Sequence, residues 1–252
     1  MGSKILPFML RTHCFYCIIR SVHKKEDITM KGKLIVRSVF AIIGGFLMVA
    51  LPLFLAAGTY NYPNAWLLIG VLFIPMFIMG VVMLVKAPDL LEKRLRNKES
   101  EGAQKIVILL SFLMFEGGFA ACGYGYRTNG VSIPWGVSVI FSMVFLVGYA
   151  LYAEVMRENA YLSRTVEVQE GQKVVDTGLY AIVRHPMYFA TVLMFCSMPV
   201  VLGSVWGTLI FLVYPFIIAG RIKNEEKVLL EGLAGYADYL KKVKWRLIPF
   251  IW

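Results

Sequence analysis

The stretch "YFATVLMFCSMPVVLGSVWGTLIFLVYPFIIAG", residues 188–220, decides the fold. It contains no charged residue, and Gly203-Ser204 divides it into two apolar blocks, Tyr188–Leu202 and Val205–Gly220. Each block approaches the roughly 20 residues that a helix needs to cross the hydrocarbon core of a bilayer. Because only two residues join the blocks, the sequence predicts a tight helical hairpin whose two outer ends lie side by side.

Four longer apolar blocks precede this hairpin: Ser38–Gly58, Ala65–Val85, Ile106–Tyr126 and Pro134–Ala153. Over the whole chain 58% of residues are hydrophobic and 17% are charged, whereas soluble domains usually carry about a quarter charged residues. We therefore predict an all-α, polytopic integral membrane protein with about six transmembrane helices ending in a helical hairpin. The remainder, Arg221–Trp252, is polar, and we expect a cytoplasmic helix that continues until Pro249.

The distribution of basic residues predicts the orientation in the membrane. The formal net charge is +10, and Lys and Arg concentrate before the first block, in Lys86–Lys105, in Glu154–Met187 and after Gly220. The intervening turns hold only Arg127. Because basic residues mark cytoplasmic loops, we expect cytoplasmic N- and C-termini. The charge also suits anionic lipid better than nucleic acid, since the basic loops lack interleaved aromatic residues for base stacking.

The N-terminal segment Met1–Thr29 has two interpretations. Its apolar part, Ile5–Ile19, is interrupted by charge, is too short to span a bilayer, and lacks the cleavage site of a signal peptide. We expect either an interfacial helix or a non-native extension upstream of Met30. Cys14 and Cys17 form a lone C-x-x-C, and because no second pair follows at zinc spacing, we expect no metal site.

The two segments that flank the hairpin carry the chemically reactive side chains. They are "QKVVDTGLYAIVRHPMY", residues 172–188, and "RIKNEEKVLL", residues 221–230. The hairpin brings together the following groups at one membrane face: Tyr180, Arg184, His185, Tyr188, Arg221, Glu225 and Glu226. Each has a structural explanation alone, such as an interfacial anchor or a helix start. Their convergence predicts a joint functional site at the cytoplasmic face.

Three quoted stretches carry a family resemblance: "GLYAIVRHPMY", "RIKNEEKVLL" and "GYADYLKKVKWRLIPFIW". Over about Ser163–Trp252 the chain resembles the isoprenylcysteine carboxyl methyltransferase family, which is related to membrane phospholipid methyltransferases. The resemblance implies an S-adenosylmethionine-dependent methyltransferase acting on a lipidic or isoprenylcysteine-like acceptor, with carboxyl O-methylation favoured. The implied partners are the bilayer and a lipidic or prenylated substrate.

The resemblance also assigns residues. It implies S-adenosylmethionine binding by Gln172, Lys173, Val174, Val175, Tyr180, His185, Pro186, Met187, Tyr188, Glu225 and Glu226. It implies that Arg221 contacts the substrate carboxylate or phosphate. Gln172 departs from the family pattern, in which a histidine is common. The chain then divides into an N-terminal tail or interfacial segment (residues 1–33), helices 1–4 (34–157) and a cofactor-binding region (158–252).

Two other functions compete with this one. Membrane sterol-type reductases that use NADPH carry a similar R-H-P-x-Y element, but Glu225-Glu226 with Arg221 just before them favours the methyltransferases. A non-enzymatic transporter or scaffold is the second alternative, and no inverted repeat supports a transporter. Glu116 lies within the third apolar block, where a carboxylate is costly unless satisfied. It either lines a substrate cavity or has a structural place, in which it is protonated or bonded to a neighbouring helix.

Overall fold

The computed structural model describes residues 6–95, 102–163 and 166–252, with side chains described from residue 32 onward except 102 and 103. Its elements are α1 (Leu6–Ala57), α2 (Pro63–Lys86), α3 (Pro88–Leu95), α4 (Gly102–Asn129), α5 (Trp135–Glu158), a 3₁₀ turn (Gly178–Ala181), α6 (Pro186–Val201), α7 (Val205–Phe211), α8 (Tyr214–Gly232) and α9 (Tyr236–Lys242). Within these ranges no residue is in a strand. The predicted all-α class is therefore confirmed.

Five helical stretches are long and apolar enough to cross a membrane: Gly32–Ala57, Pro63–Lys86, Gln104–Asn129, Trp135–Glu158 and Val205–Gly232. The remaining apolar helix, α6, has 16 residues. At 1.5 Å per residue it is about 24 Å long, short of the roughly 30 Å hydrocarbon core. Five spans are thus supported, and a sixth crossing by α6 stays a prediction.

Some sequence predictions fall on residues outside this description. The side chains of residues 6–31, which include Cys14 and Cys17, are outside it, although the backbone there continues as part of α1. Residues 96–101 of the basic loop Lys86–Lys105 and residues 164–165 are outside it as well. The predictions for these side chains and loops stay predictions.

The predicted hairpin at residues 203–204 is present. Helix α6 ends at Val201, and Gly203 adopts a left-handed φ of 73° that a side chain would strain. A Cβ at this position would also collide with the side chain of Val131. Ser204 then caps α7 by accepting a hydrogen bond from the backbone N of Gly207 at 3.1 Å. The chain therefore reverses within three residues, Leu202–Ser204.

Three neutral side chains hold the hairpin turn against α2 and α5. Tyr62 donates to the carbonyl of Leu202, and Asn64 donates to that of Val201 at 2.8 Å. Ser138 donates to the carbonyl of Val200 at 3.0 Å and accepts from Asn64 at 3.0 Å. We call Tyr62, Asn64 and Ser138 the tip cluster. Because all three side chains are buried, the last carbonyls of α6 are satisfied without water.

The second arm of the hairpin is interrupted, whereas the sequence predicts one block over Val205–Gly220. Helix α7 ends at Phe211, and α8 begins at Tyr214. Pro215 explains the break, because its nitrogen has no hydrogen to donate and its ring clashes with the preceding turn. Helix α8 then continues through Arg221 to Gly232, so the residues predicted to converge with the start of α6 lie on one uninterrupted helix.

Aromatic side chains fix α4 against both arms of the hairpin. The ring centroid of Phe115 lies 4.9 Å from that of Phe195 on α6 and 5.5 Å from that of Phe211 on α7. The rings of Phe195 and Tyr214 are 4.9 Å apart. Edge-to-face pairs of this kind each contribute about 0.5–1.5 kcal/mol beyond burial. They hold the two antiparallel arms side by side, so the polar ends of α6 and α8 meet.

The C-terminal segment departs from the prediction of helix until Pro249. Helix α9 ends at Lys242, and the following residues are irregular. The backbone N–H groups of Arg184 and His185 donate to the carbonyls of Trp245 and Arg246, both at 2.9 Å. These tertiary hydrogen bonds replace the helical bonding that the local sequence permits.

Candidate active site

The site begins where the polar segment enters α6. Pro186 occupies the first turn of the helix, where the missing N–H costs nothing, and His185 precedes it. Because the backbone N–H groups of residues 184 and 185 bond to the C-terminal segment, both are fixed before the helix starts. His185 is 5% exposed and Tyr188 is 5% exposed, so both are held inside the protein.

Tyr188 links two of the three predicted ligand-binding residues of α8, Arg221 and Glu225. Its hydroxyl accepts from Nε of Arg221 at 2.8 Å and donates to Oε2 of Glu225 at 2.5 Å. The guanidinium of Arg221 also lies 5.9 Å from the centroid of the Tyr188 ring. Arg221 and Glu225 are one helical turn apart, as predicted, and a phenol joins them. A change in either residue therefore alters the hydrogen bonding of the other.

Glu226 lies at the centre of a separate charge cluster. Its Oε1 is 3.2 Å from Nη1 of Arg184 and 3.4 Å from Nε2 of His185, and its Oε2 accepts from Nε of Arg246 at 2.8 Å. The carboxylate is buried, and pairing is what makes a buried charge tolerable. Through these bonds Glu226 connects α8, the start of α6 and the C-terminal segment.

The 3₁₀ turn depends on a glycine. Gly178 has a φ of 55°, and a Cβ there would overlap the carboxylate of Glu158, the last residue of α5. That carboxylate accepts from the backbone N of Leu179 at 3.0 Å. The turn positions Tyr180, whose hydroxyl accepts from Nδ2 of Asn159 at 2.9 Å. Gly178 thus permits the close approach that places Tyr180 in the site.

A polar cavity of about 100 Å³ lies among these residues. Ten residues of the predicted site line it: Gln172, Lys173, Val174, Val175, Tyr180, His185, Met187, Tyr188, Arg221 and Glu225. Pro186 and Glu226 do not line it. Pro186 starts α6, and Glu226 holds the charge cluster behind the wall, so a cofactor contact from either stays a prediction.

The cavity wall also contains residues that sequence reasoning missed, among them Asn159, Tyr161, Glu167, Tyr236 and Tyr239. Burial raises the pKa of Tyr180, Tyr236 and Tyr239, so each phenol stays protonated and acts as a neutral hydrogen-bonding group. Tyr239 donates to the carbonyl of Tyr180 at 2.8 Å. The i, i+3 spacing of tyrosines in "GYADYL" was the signal available for this pair.

A second, larger cavity of about 510 Å³ adjoins the first. Its lining is mostly apolar and comes largely from α1, α2, α4, α6 and α8, with polar groups from Arg94, Glu116 and Arg221. The two cavities share Ser163, Met187, Tyr188 and Arg221. Glu116 therefore lies where one of its two predicted interpretations places it, in the wall of a cavity between the helices.

A comparison with known protein families finds a match over this region of the chain. Residues 131–234, from the loop before α5 to just after α8, match the family model of phospholipid methyltransferases. No curated protein matches the chain. The matched stretch includes the hairpin, the 3₁₀ turn and both Arg221 and Glu225. Residues 131–234 are thus similar to the phospholipid methyltransferase family, in agreement with the resemblance that the quoted motifs carry.

Proposed function

We propose that this protein is an integral membrane methyltransferase that uses S-adenosylmethionine to methylate a lipidic acceptor. The observation that carries the proposal is the pair of cavities with contrasting walls, which meet at Met187, Tyr188 and Arg221. A polar cavity suits a charged, water-soluble methyl donor, and an apolar cavity between membrane helices suits the chain of a lipid. Their common wall is where a methyl group would pass from one ligand to the other.

The residues of the polar cavity fit S-adenosylmethionine. When bound, this molecule supplies a methyl group on a sulfonium cation, together with an ammonium, a carboxylate and an adenosine. Glu225 offers a carboxylate to a cationic or hydroxyl group, and Lys173 offers a cation to the carboxylate. The hydroxyl of Tyr236 is buried without a hydrogen-bond partner among the described residues, so it can satisfy a polar atom of the ligand.

Binding of such a ligand requires the cavity wall to move. The polar cavity of about 100 Å³ is smaller than the roughly 300 Å³ at which most ligand pockets begin. Its outer wall is the irregular segment after α5, which includes Tyr161 and residues 172–175. Residues 166–177 of this segment belong to no helix. We therefore expect it to open for the donor and to close over it.

The charges favour a carboxylate acceptor. Methyl transfer is an in-line displacement, so the protein accelerates it mainly by holding donor and acceptor in line. A carboxylate is already a nucleophile, whereas an ammonium must first lose a proton to a base. Glu225 already accepts from Tyr188, and Glu226 is paired with Arg184, His185 and Arg246. Arg221 can bind an acceptor carboxylate with the planar fork of its guanidinium.

A phospholipid headgroup is the second candidate acceptor, and the family description favours it. Its phosphate would bind the guanidinium of Arg221, and its amine would accept the methyl group. Base treatment of the product distinguishes the two, because a methyl ester is hydrolysed and an N-methyl group is retained. An isoprenylcysteine-like carboxylate remains the acceptor that the quoted motifs favour.

We also propose that the site faces the cytoplasm and that both termini lie on that side. The basic residues just before α6 and in the second half of α8, which include Arg184 and Lys223, support this orientation. Accessibility labelling of single cysteines at residues 61 and 130 and near the C-terminus measures it. Labelling of residue 61 from the cytoplasmic side would show that the orientation is the opposite of the one proposed.

Calorimetry of the purified protein tests the methyl donor. We expect S-adenosylhomocysteine, the donor product, to bind with measurable heat and NADPH to give none. Heat from NADPH alone would favour the reductase alternative. Suppose that neither ligand gives heat in protein that keeps its helical circular dichroism. This result would count against both the methyltransferase and the reductase, and it would favour a transporter or scaffold.

A further inference from the structure

We infer that Arg94, together with Arg221, forms a two-arginine subsite for the anionic headgroup of an amphiphile held in the apolar cavity. This inference rests on the proposed function for the identity of the amphiphile as methyl acceptor. The subsite lies at the polar end of the cavity, where its wall is shared with the polar cavity. Arg94 lies outside both the quoted motifs and the residues that match the family model.

Contacts of the two guanidinium groups place both of them at the first turn of α6. Nη1 of Arg94 lies 3.8 Å from Sδ of Met187, and Nε of Arg221 lies 2.8 Å from the hydroxyl of Tyr188. Met187 and Tyr188 are consecutive residues, so both arginines reach the first turn of α6. Both also line the 510 Å³ cavity.

The short helix α3 holds Arg94 in this position. Leu91, one turn before it, is buried against Met83 of α2 and Met156 of α5. The guanidinium of Arg94 lies 5.3 Å from the centroid of the Tyr152 ring, also on α5. A cation–π contact and a buried leucine therefore orient the side chain of Arg94 towards the cavity. Arg94 is far in sequence from every other residue of the site.

The cavity wall sets the chemistry of the ligand. Two guanidinium groups at one end favour a carboxylate or a phosphate, because both anions accept paired hydrogen bonds from arginine. The remaining wall is apolar apart from Glu116 and hydroxyl groups, so it favours an acyl or isoprenoid chain. The shared chemistry is an anionic headgroup on a long apolar chain. A free anion would lack the contacts that the apolar wall provides.

Binding of radiolabelled laurate to protein in an uncharged detergent tests the subsite without any methyl donor. We expect dodecyl phosphate to compete with laurate, and dodecyltrimethylammonium, acetate and inorganic phosphate to compete poorly. Arg94→Met should weaken laurate binding about tenfold, the loss of a charge-assisted hydrogen bond. The matched control is Lys86→Met, which removes the same charge from the exposed end of α2 and should bind laurate like the wild type.

The outcomes separate this inference from the proposed function. Equal laurate affinity in Arg94→Met and wild type, or equal competition by the cationic and anionic amphiphiles, would overturn the subsite. If Arg94→Met fails to fold, Arg94→Lys is the variant to measure, because it keeps the charge but loses the planar fork of the guanidinium. Laurate affinity equal to that of the wild type in Arg94→Lys would then overturn the subsite. Laurate binding that depends on Arg94, in protein that binds no S-adenosylhomocysteine, would support the subsite and refute the methyltransferase.

Discussion

The two ends of α6 are held in opposite ways. At the hairpin turn the tip cluster donates neutral hydrogen bonds to the last carbonyls of the helix. At the other end Glu226 gathers Arg184, His185 and Arg246 into a buried charge cluster. Neutral bonds position a helix at modest cost, whereas buried charges are expensive unless every partner is present. The loss of one partner should therefore cost little stability at the tip and much more at the charged end, which also adjoins the polar cavity.

The largest effect should come from the two ligand-facing residues of α8. Glu225→Ala should abolish S-adenosylhomocysteine binding, because it removes the carboxylate that faces the polar cavity. Arg221→Ala should keep this binding largely intact yet lose methyl transfer, with lysine rescuing poorly. Calorimetry and turnover in one detergent measure both. Because Tyr188 bonds to both residues, Tyr188→Phe should impair binding and turnover together.

Glu231→Ala is the matched control, since it removes an exposed carboxylate from the same helix. It should match the wild type in both measurements. Loss of donor binding in Arg221→Ala but not in Glu225→Ala would reverse the two assigned roles.

Glu226→Gln should lower the free energy of unfolding by about 3 kcal/mol, because two arginines would remain near the wall without a carboxylate. Denaturant unfolding in mixed micelles measures the change. A direct cofactor contact by Glu226 is the competing prediction. An unchanged unfolding free energy combined with lost S-adenosylhomocysteine binding would support that contact. It would also show that Glu226 does not stabilise the charged end of α6.

Asn64→Ala tests the tip cluster. It removes the hydrogen bonds to Ser138 and Val201, and a loss of about 1 kcal/mol is expected for such bonds between membrane helices. Donor affinity should not change, because the tip lies at the far end of α6. Asn61→Ala, an exposed position in the same turn, is the control and should be silent in unfolding. Weakened donor binding in Asn64→Ala would contradict the separation of the two ends.

The smallest effect should come from Lys242, which pairs with Asp176 at 2.6 Å on the exposed edge of the site. The hydrogen bond from Lys242 holds the pKa of Asp176 below its usual range. A lowered pKa stabilises the folded state above the unfolded value of about 3.9, and the stabilisation is lost as pH falls through the folded value. Unfolding of wild type and Lys242→Met should therefore differ slightly at pH 6 and converge below about pH 4.

Lys241→Met is the control for this pH series, because Lys241 pairs with Asp238 and leaves Asp176 paired. It should keep the pH dependence of Asp176. A constant difference between wild type and Lys242→Met across the range would show that the pair contributes no proton-linked stability.

Much of the architecture follows from local sequence. The apolar blocks and the Gly203-Ser204 turn predict the hairpin, and the hairpin brings Tyr188 to Arg221 and Glu225. Helical geometry could have separated Glu225 from Glu226, since neighbouring residues point about 100° apart and only one faces the cavity. The irregular segment after Lys242 could not be predicted, because its conformation depends on hydrogen bonds to residues 184 and 185 that are distant in sequence.

The apolar cavity was equally inaccessible to sequence reasoning. It is formed by gaps between helices that are far apart in the chain, and apolar residues carry no signal that distinguishes a cavity wall from a packed core. Of its polar residues, Glu116, Tyr188 and Arg221 were singled out from the sequence, whereas Arg94 was counted only as a basic loop residue. Its position follows from the packing of α3 through Leu91, which is a tertiary contact.

The short length of α6 has a consequence for the depth of the candidate site. No residue of α6 is exposed, so neighbouring helices surround it. If α6 crosses the membrane as the sequence predicts, its length of about 24 Å falls short of the hydrocarbon layer of about 30 Å. The first turn of α6, with Met187 and Tyr188, would then lie below the headgroups, and an acceptor could reach the shared wall while its apolar chain stays in the bilayer.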